Sequence, residues 1–595
     1  MEITRIFDLL PYYAEKFLPK EDVLACKENG SWKKYSLRQY IEAANNISYG
    51  LIDLGVKRGD KIATITNNRP EWNFLDMGIM QAGAVHVPIY PTISESDYLT
   101  ILNHAEVKYI FVSGEELFRK IESIVPKIPG IKEVFSIKPV NGNRQLADLI
   151  AIGMSNPLPK LLDEIKASIH TDELVTLIYT SGTTGVPKGV MLSHRNIISN
   201  FKGVSYIPTF GQEGKALSFL PLCHIYERML NYLYQYLGIS IYYAESLATI
   251  NDNIREIKPD MMCCVPRLLE KIYEKILSAG QKQKGIKRMI FFWALNLGLK
   301  FEPGERKNWF YRAKLKLVDK LVFVKWREAL GGNFKIIVSG GAAIQPRILR
   351  VFWAAGLPVY EGYGLTETSP VIATTSSIAN GLKVGTVGPP LKEATVRIAD
   401  DGEILCKGPG IMLGYYKDAA LTRQVIDEFG WFHTGDIGHI EKEGQLRITG
   451  RKKEIFKTSL GKYIAPDLIE NKLKESAFID NLMVVGENQK FAGALIVPDF
   501  DHLRSWCKIK GVDYTTDQEM ITLPRIRKRY LKEIEKYNKK LGATEQVKKF
   551  ELLNAEWTVS SGELSPTLKL KRSIITKKYC DILNKMFDID DHPCV

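Results

Sequence analysis

Polar and apolar positions along this chain fall into blocks of two kinds. Apolar runs of strand length, such as Lys61-Ile-Ala-Thr-Ile-Thr66 and Ala84-Val-His-Val-Pro-Ile-Tyr90, alternate with stretches whose apolar residues recur at helical spacing, which predicts layered α/β structure over residues 1 to about 170. Leu174-Val-Thr-Leu-Ile-Tyr-Thr180 is rich in β-formers and stops abruptly at Ser181-Gly-Thr-Thr-Gly185, a strand feeding a polar loop. In Val265 to Tyr273, Pro266 suits a first helical turn and Leu268, Leu269, Ile272 and Ile276 repeat at helical spacing. Phe334-Lys-Ile-Ile-Val-Ser339 predicts a strand, Ile344 to Ala355 a helix closed by Gly356, and Leu357-Pro-Val-Tyr360 another strand, together a βαβ unit. Ligands of open parallel sheets bind beyond the carboxyl ends of the strands, so Gly340-Gly341-Ala342 and Glu361-Gly362-Tyr363-Gly364 are expected as neighbouring loops over one pocket. After Gly381 the texture turns to short strands and tight turns, and a domain boundary is expected at Arg451 to Glu454.

Composition narrows the class without naming it. At 595 residues, 45% hydrophobic and 25% charged, the chain is an ordinary globular protein, which excludes disorder, collagen and coiled coil. Its eight cysteines form no C-x-x-C pair, so neither a zinc site nor a disulfide framework is expected, and a reducing cytoplasmic setting fits. The N-terminal MEITRIFDLLPYYAEKF has no signal-peptide pattern. The longest uncharged apolar-leaning stretch, Met229 to Ala244, has 16 residues and includes Asn231 and Gln235. A bilayer span needs about 20.

The charge is unevenly spread. Residues 281–330 hold 13 Lys/Arg against 4 Asp/Glu, a net +9 of the chain's +13, interleaved with Phe291, Trp293, Trp309, Phe310 and Trp326. Two readings stay open: a pair of surface helices with solvated basic faces, or attachment to an anionic membrane surface. No nucleic-acid motif accompanies the charge, and no nucleic-acid partner is expected.

The stretch Tyr179-Thr-Ser-Gly-Thr-Thr-Gly-Val-Pro-Lys-Gly189 supplies glycines, hydroxyls and a lysine after a strand, the materials for wrapping a polyphosphate with backbone N–H groups and a cation. It is not a Walker A loop, because Lys188 precedes its glycine and Val190 stands where the Mg²⁺-binding hydroxyl belongs. It resembles instead the signature loop of the adenylate-forming superfamily. Leu220-Pro-Leu-Cys-His-Ile-Tyr-Glu-Arg228, Ser339 to Ala342, Tyr360 to Thr368, Gly430-Trp-Phe-His-Thr-Gly-Asp436, Thr449 to Glu454 and Gly562 to Lys569 agree in the family's order. The wording of these segments is most similar to the long-chain fatty acyl-CoA synthetase branch.

The resemblance implies an α/β fold with a large multi-layer N-terminal domain (1–450), a hinge at 451–454 with Lys453 as pivot, and a small mobile α+β C-terminal domain (455–595). It implies ATP-dependent formation of acyl-AMP from a long-chain fatty acid, then thioester formation with CoA, with Mg²⁺ as the metal. A carrier-protein acceptor in place of CoA, and a catalytically silent acyl-binding protein at a membrane, remain alternatives. Its residue roles carry over position by position. Lys188 and the loop Thr180, Ser181, Gly182, Thr183, Thr184 and Gly185 would hold the β- and γ-phosphates. Glu367 would bind the metal and Thr366 the α-phosphate. Tyr363 would stack on adenine beside Gly340, Gly341 and Ala342, with Glu361, Gly362 and Gly364 completing the nucleotide loop. Asp436 and Arg451 would contact ribose, Lys569 would stabilise charge during adenylation, and His224 joins the catalytic set. The chain departs from its branch at Leu460, where a second glycine is usual, and at Arg228 and Met229, where some relatives carry a tryptophan gate.

Overall fold

The structure, a computed structural model, describes residues 1–181, 187–246, 248–305, 308–377, 381–565 and 569–588. It divides into two compact units, Met1–Arg397 with Leu405–Thr434 and Glu441–Leu446, and Ile398–Ile404 with Gly435–Ile440 and Arg447–Val595.

The first unit is built on two large sheets. In one, the parallel strands Val359–Gly364, Ile336–Gly340, Met261–Cys264, Lys215–Ser218, Ser240–Tyr243 and Leu24–Glu28 lie in that order, with antiparallel strands Val371–Thr374 and Ser31–Tyr35 at the edges. The other carries Gly414–Tyr415, Pro187–Ser193, Leu174–Ser181, Val85–Ile89, Lys61–Ile65, Val107–Val112 and Glu133–Ser136, antiparallel only in its first two pairings. Helix Pro70–Gln81 is buried at every position except Glu71, so no polar face is left for water. A core of aliphatic and aromatic residues, among them Leu75, Ile79, Phe111, Leu192 and Leu230, joins this helix to strands of both sheets.

The strands predicted at Lys61, Ala84 and Leu174 are all present, and Pro266 opens helix Pro266–Gln281 from its first position. The uncharged stretch from Met229 divides into helix Ile225–Leu237 and strand Ser240–Tyr243 because Gly238, at φ +75°, ends the helix in the left-handed region. No helix among the described residues is long and apolar enough to cross a membrane. One expectation is corrected: Glu361 to Gly364 are not a loop beyond a strand but the end of strand Val359–Gly364, which continues in register against Ile336–Gly340.

Residues 281–330 form helix Gly285–Gly298 and a second helical run from Trp309 to Ala329, continuous through a π-helical turn at Asp319–Phe323. Their inner sides, with Phe291, Leu295, Phe323 and Trp326, pack in a core shared with Ile348 and Phe352.

In the second unit, strands Ile479–Val485, Ala492–Pro498 and Val547–Leu552 make a small mixed sheet. Alternation along these strands sends Leu482, Val484 and Ile496 to a core with helix Pro524–Asn538, and Met483, Leu495 and Val497 to a second core with Trp557 and Ile575. Among the described residues six cysteines are free and Cys580 is disulfide-bonded, which does not amount to a disulfide framework.

Candidate functional site

In the first unit the predicted residues gather around two strand ends. Strand Leu174–Ser181 runs antiparallel to Pro187–Ser193, which puts Thr180 opposite Lys188 at the mouth of the loop between them. Gly182, Thr183, Thr184 and Gly185 lie outside the described residues; Ser181 is the last residue of its strand. Short strand Gly414–Tyr415 pairs on the other side of Pro187–Ser193, with Tyr415 opposite Val190. There the Lys188 ammonium lies 5.5 Å from the centre of the Tyr415 ring. The Tyr415 hydroxyl donates to Glu367 Oε1 at 2.8 Å, and Met412 N–H donates to the Glu367 carbonyl at 2.9 Å. Burial, with the Glu367 charge second, raises the Tyr415 phenol above its ordinary range, so it stays a donor. Tyr415 was not among the residues singled out from sequence, and the contact spans 48 positions.

Glu367 sits half-buried in the single turn Thr366–Thr368 that follows strand Val359–Gly364, and Thr366 beside it is buried. Its second oxygen has no hydrogen-bond or ion-pair partner among the described residues. No group of three or more His, Cys, Asp or Glu residues suited to a metal occurs among the described residues. Mg²⁺ is commonly held by one or two carboxylates and substrate phosphates, and Glu367 fits that pattern.

The glycines of the two neighbouring strand ends differ in what requires them. A Cβ at Gly364 would stand 1.7 Å from the Pro370 carbonyl oxygen, and one at Gly340 would stand 3.0 Å from Tyr226 Cζ, so packing alone excludes a side chain at the first and crowds the second. Gly341 has φ +83°. At Gly362, directly opposite Gly340 in the register, an added Cβ would meet nothing, and Gly341 faces open space as well. The ledge made by Gly341, exposed Ala342 and Gly362 is open, as close approach by a flat ligand requires, and Tyr363 is buried next to it. Glu361 is also buried. Its Oε1 accepts from Ile344 N–H at 3.4 Å, and its own N–H donates to Thr375, so it ties down the turn that carries the ledge.

Tyr226, whose ring abuts Gly340, belongs to helix Ile225–Leu237, and His224 caps that helix by accepting from Tyr226 N–H at 3.2 Å through Nδ1. Farther along, the helix enters a sealed network. Arg228 donates to Asp76 Oδ1 at 2.5 Å, to Thr176 Oγ1 at 2.7 Å and to Tyr232 at 2.7 Å, while His86 bridges Asp76 at 2.6 Å and Thr64 at 2.7 Å. Burial alone would raise the Asp76 carboxyl, but the Arg228 charge and the His86 contact outweigh it and hold Asp76 below its usual range. Burial likewise lowers His86. These residues tie helices Pro70–Gln81 and Ile225–Leu237 to strand Leu174–Ser181, which leads into the phosphate-type loop. Sequence reasoning missed them, although a carboxylate inside the apolar run Trp72 to Met80 calls for a buried cation.

Glu227, next to Arg228, lacks any such partner. Neither of its carboxyl oxygens makes a hydrogen bond of good geometry among the described residues. Burial pushes its carboxyl up to about 8, opposed by the Ser218 hydroxyl.

In the second unit, Asp436 is buried in strand Phe432–Ile440, and Arg451 Nε contacts its Oδ1 at 3.0 Å. Lys452 bonds Glu403 at 2.8 Å while Glu403 accepts from Gly435 N–H at 2.9 Å, which fixes the bend before Asp436. Lys453 falls in the turn that follows, closed by Glu454 N–H donating to the Arg451 carbonyl at 3.0 Å. Lys569 has Arg451, Asp436, Glu454 and Asp467 as charged neighbours. Desolvation, with Arg451 second, moves its ammonium down, but the residue is exposed and water damps that shift. Underneath, Arg572 joins Glu454, Glu470 and Asp467 at 3.0, 2.8 and 3.2 Å. Asp436, Arg451 and Lys569 therefore come together, as do Lys188, Tyr415 and Glu367 in the first unit.

Known proteins share this arrangement of chain. Solved structures with the same fold include a fatty acyl CoA synthetase of Mycobacterium tuberculosis (TM-score 0.64, 19% identity, 97% of this chain and 99% of that one) and MatB of Rhodopseudomonas palustris (TM-score 0.71, 20% identity, 97% and 99%). In sequence, the long-chain-fatty-acid–CoA ligase FadD15 of Mycobacterium bovis is 35% identical over 92% of both chains, and the human long-chain-fatty-acid–CoA ligase 1 is 31% identical over 92% of this chain and 81% of its own. The family model for the AMP-binding enzyme matches residues 14–416 and that for the AMP-binding enzyme C-terminal domain matches 453–591. With most of its length matched by both, the chain belongs to the AMP-binding enzyme family.

Proposed function

We infer that the chain is a long-chain fatty acid–CoA ligase that works through acyl-AMP. The observation that carries this reading is the pairing of Lys188 and Glu367 on either side of Tyr415, a cation and a half-satisfied carboxylate where the glycine loop begins. Relatives named long-chain ligases or synthetases, 31–35% identical over nine-tenths of the chain, supply the substrate class.

In the first half-reaction a fatty carboxylate oxygen attacks the α-phosphorus of ATP, a P–O bond forms, and pyrophosphate leaves. Negative charge grows on the phosphoryl oxygens, so fixed cations and donors lower the barrier. Lys188 and residues 180–185 hold the β- and γ-phosphates, and Thr366 donates to the α-phosphate. Mg²⁺ bound at Glu367 would neutralise phosphate charge. The Gly341, Ala342 and Gly362 ledge and Tyr363 receive adenine, Asp436 and Arg451 receive ribose, and Lys569 supplies a mobile positive charge. In the second half-reaction the CoA sulfur attacks the acyl carbon, AMP departs, and the thiol proton passes to solvent. Movement about Lys453 between the two steps accounts for the need to present Lys569 first and admit a thiol later.

The test follows the half-reactions separately with a panel of acyl chains and thiol acceptors. Pyrophosphate release with long-chain acids, followed by CoA consumption, is expected. Lys569→Ala should fail to make acyl-AMP yet thiolate supplied acyl-AMP, and Lys453→Pro, with φ fixed near −65°, should do the reverse. Loading of an acyl carrier protein with no use of CoA would replace the assigned acceptor, and parallel loss of both steps in both variants would overturn the pivot.

A further inference from the structure

Helices normally turn their apolar residues inward and leave polar ones to water. The run from Trp309 to Ala329 does both: Tyr311, Leu315, Val318, Val322 and Trp326 face the core or are half-buried against it, while Trp309, Phe310, Leu317 and Leu321 point the other way, 78, 54, 52 and 43% exposed. Phe310, Leu317 and Leu321 stand seven and four positions apart, the spacing that stacks side chains on one helix face. At the start of the neighbouring helix Gly285–Gly298, Ile286 and Met289 are 70 and 66% exposed, again on one side. The Tyr311 hydroxyl donates to the Leu297 carbonyl at 2.8 Å and pins the two helices together. Few soluble surfaces leave so many large apolar groups uncovered in one short stretch.

The charges around them are mostly basic, and six of the cations are unspent. Lys284, Lys287, Arg312, Lys316, Lys320 and Lys325 have no carboxylate partner among the described residues. Asp319, an acid on the same helix, is already held by Arg327. An apolar stripe flanked by uncompensated lysines suits a surface with phosphate groups outside and hydrocarbon beneath. A folded acidic protein would satisfy the lysines but not Trp309 and Phe310 together with Leu317 and Leu321 unless it brought a matching apolar groove.

We propose that the outward faces of helix Gly285–Gly298 and of the run from Trp309 to Leu321 dock on the headgroup layer of an anionic lipid bilayer, with Trp309, Phe310, Leu317 and Leu321 entering the acyl boundary and the lysines contacting phosphates. The helices lie on the membrane and do not cross it. Docking here would bring the enzyme to where its acyl substrate partitions, but the inference does not rest on the ligase reading, because membrane binding is measured without turnover.

The full chain is sedimented with vesicles of phosphatidylcholine alone and of phosphatidylcholine mixed with an equal part of phosphatidylglycerol. Binding is expected to the mixed vesicles and to fall with salt. The triple variant Trp309→Ser/Phe310→Ser/Leu317→Ser should bind at least about tenfold more weakly, and Lys316→Glu/Lys320→Glu about fivefold or more per residue. Both should keep the wild-type thermal midpoint and turnover of a detergent-dispersed acid; if the triple variant does not fold, Trp309→Ala, at the most exposed of the four, takes its place. Equal binding by wild type and the apolar variants overturns the proposal. So does capture of an acidic acyl carrier protein on this face without vesicle binding, which would make it a protein-docking surface.

Discussion

Two regions of the first unit hold the same chemical set, a carboxylate, a cation and a tyrosine, with opposite outcomes. Around Arg228, Asp76 and Tyr232 all three side chains are fully buried, and the guanidinium spends its donors on Asp76, Thr176 and Tyr232. Around Lys188, Glu367 and Tyr415, the lysine and glutamate are half-exposed, one carboxylate oxygen is taken by the tyrosine, and the other oxygen and the ammonium have no hydrogen-bond or ion-pair partner among the described residues. Composition does not separate them; satisfaction does. A closed set has nothing left to offer a ligand and serves to orient the elements that meet there, whereas a set with open valences can take up phosphate and metal charge.

The largest effect should follow from opening the closed set. Arg228→Ala leaves Asp76 buried without its cation, and a loss of about 3–5 kcal/mol is expected in urea unfolding of the first transition. Replacing Asp76 as well, in Arg228→Met/Asp76→Leu, should recover much of that loss, since no uncompensated charge remains. No recovery would show that the pair does more than balance itself. The open set should behave the other way. Glu367→Gln is expected to leave unfolding unchanged and to slow acyl-AMP formation by about 10²–10³. Near-normal adenylation at saturating Mg²⁺ would remove Glu367 from the metal site.

The contrast also marks what the sequence makes legible. Layered α/β structure, the βαβ unit and the strand before the polar loop follow from apolar periodicity, because burial on a sheet or helix imposes that period. Glycine motifs and their order made the residues of the site nameable, but not which glycines are required by packing: Gly364 and Gly362 look alike until Pro370 is seen against the first and open space at the second. Long-range polar contacts are harder. Tyr415 reaches Glu367 across a turn and a sheet edge with no local signal, and Arg228 reads as a departure from a gate until Asp76 and His86 are found beside it. Exposed Trp309 and Phe310 defy the periodic reading because a helix with apolar groups on both sides has no single polar face to find.

A smaller effect belongs to Glu227, which borders the closed set without joining it. Its carboxyl is pushed up to about 8 by burial, whereas the unfolded chain releases the same proton near the ordinary glutamate value of 4.5. Between those values the native state holds a proton that the unfolded state has lost, so native stability falls as pH rises through the window. Glu227→Gln carries no such proton. Its stability relative to wild type should therefore be near zero at the acid end, grow toward pH 8, and level off above it. Urea midpoints at several pH values measure this, and a difference independent of pH would mean that Glu227 is ionised in place.

The smallest expected change tests the tyrosine that each set contains. In the open set the Tyr415 hydroxyl occupies Glu367 Oε1 and leaves Oε2 to face outward, while its ring lies 5.5 Å from the Lys188 ammonium. Tyr415→Phe removes only the hydroxyl. A hydrogen bond to a charged acceptor contributes about 1.5–3 kcal/mol where it is well buried, and less at a half-exposed carboxylate, so the apparent Mg²⁺ requirement should rise about tenfold or less. Turnover at saturating Mg²⁺ and the KM for fatty acid should stay near wild type. Tyr415→Leu also removes the ring, and a cation–π contact at an accessible site is worth about 0.5–1 kcal/mol, so the KM for ATP should rise a further two- to fivefold, to within about a factor of two. Tyr232→Phe, made in the closed set, should change neither quantity and lower stability instead, because there the hydroxyl serves Arg228 and Asp76 and no ligand. If Tyr415→Phe behaves like Tyr232→Phe, with a stability loss and an unchanged Mg²⁺ requirement, then Glu367 is held for packing and the open set is as structural as the closed one.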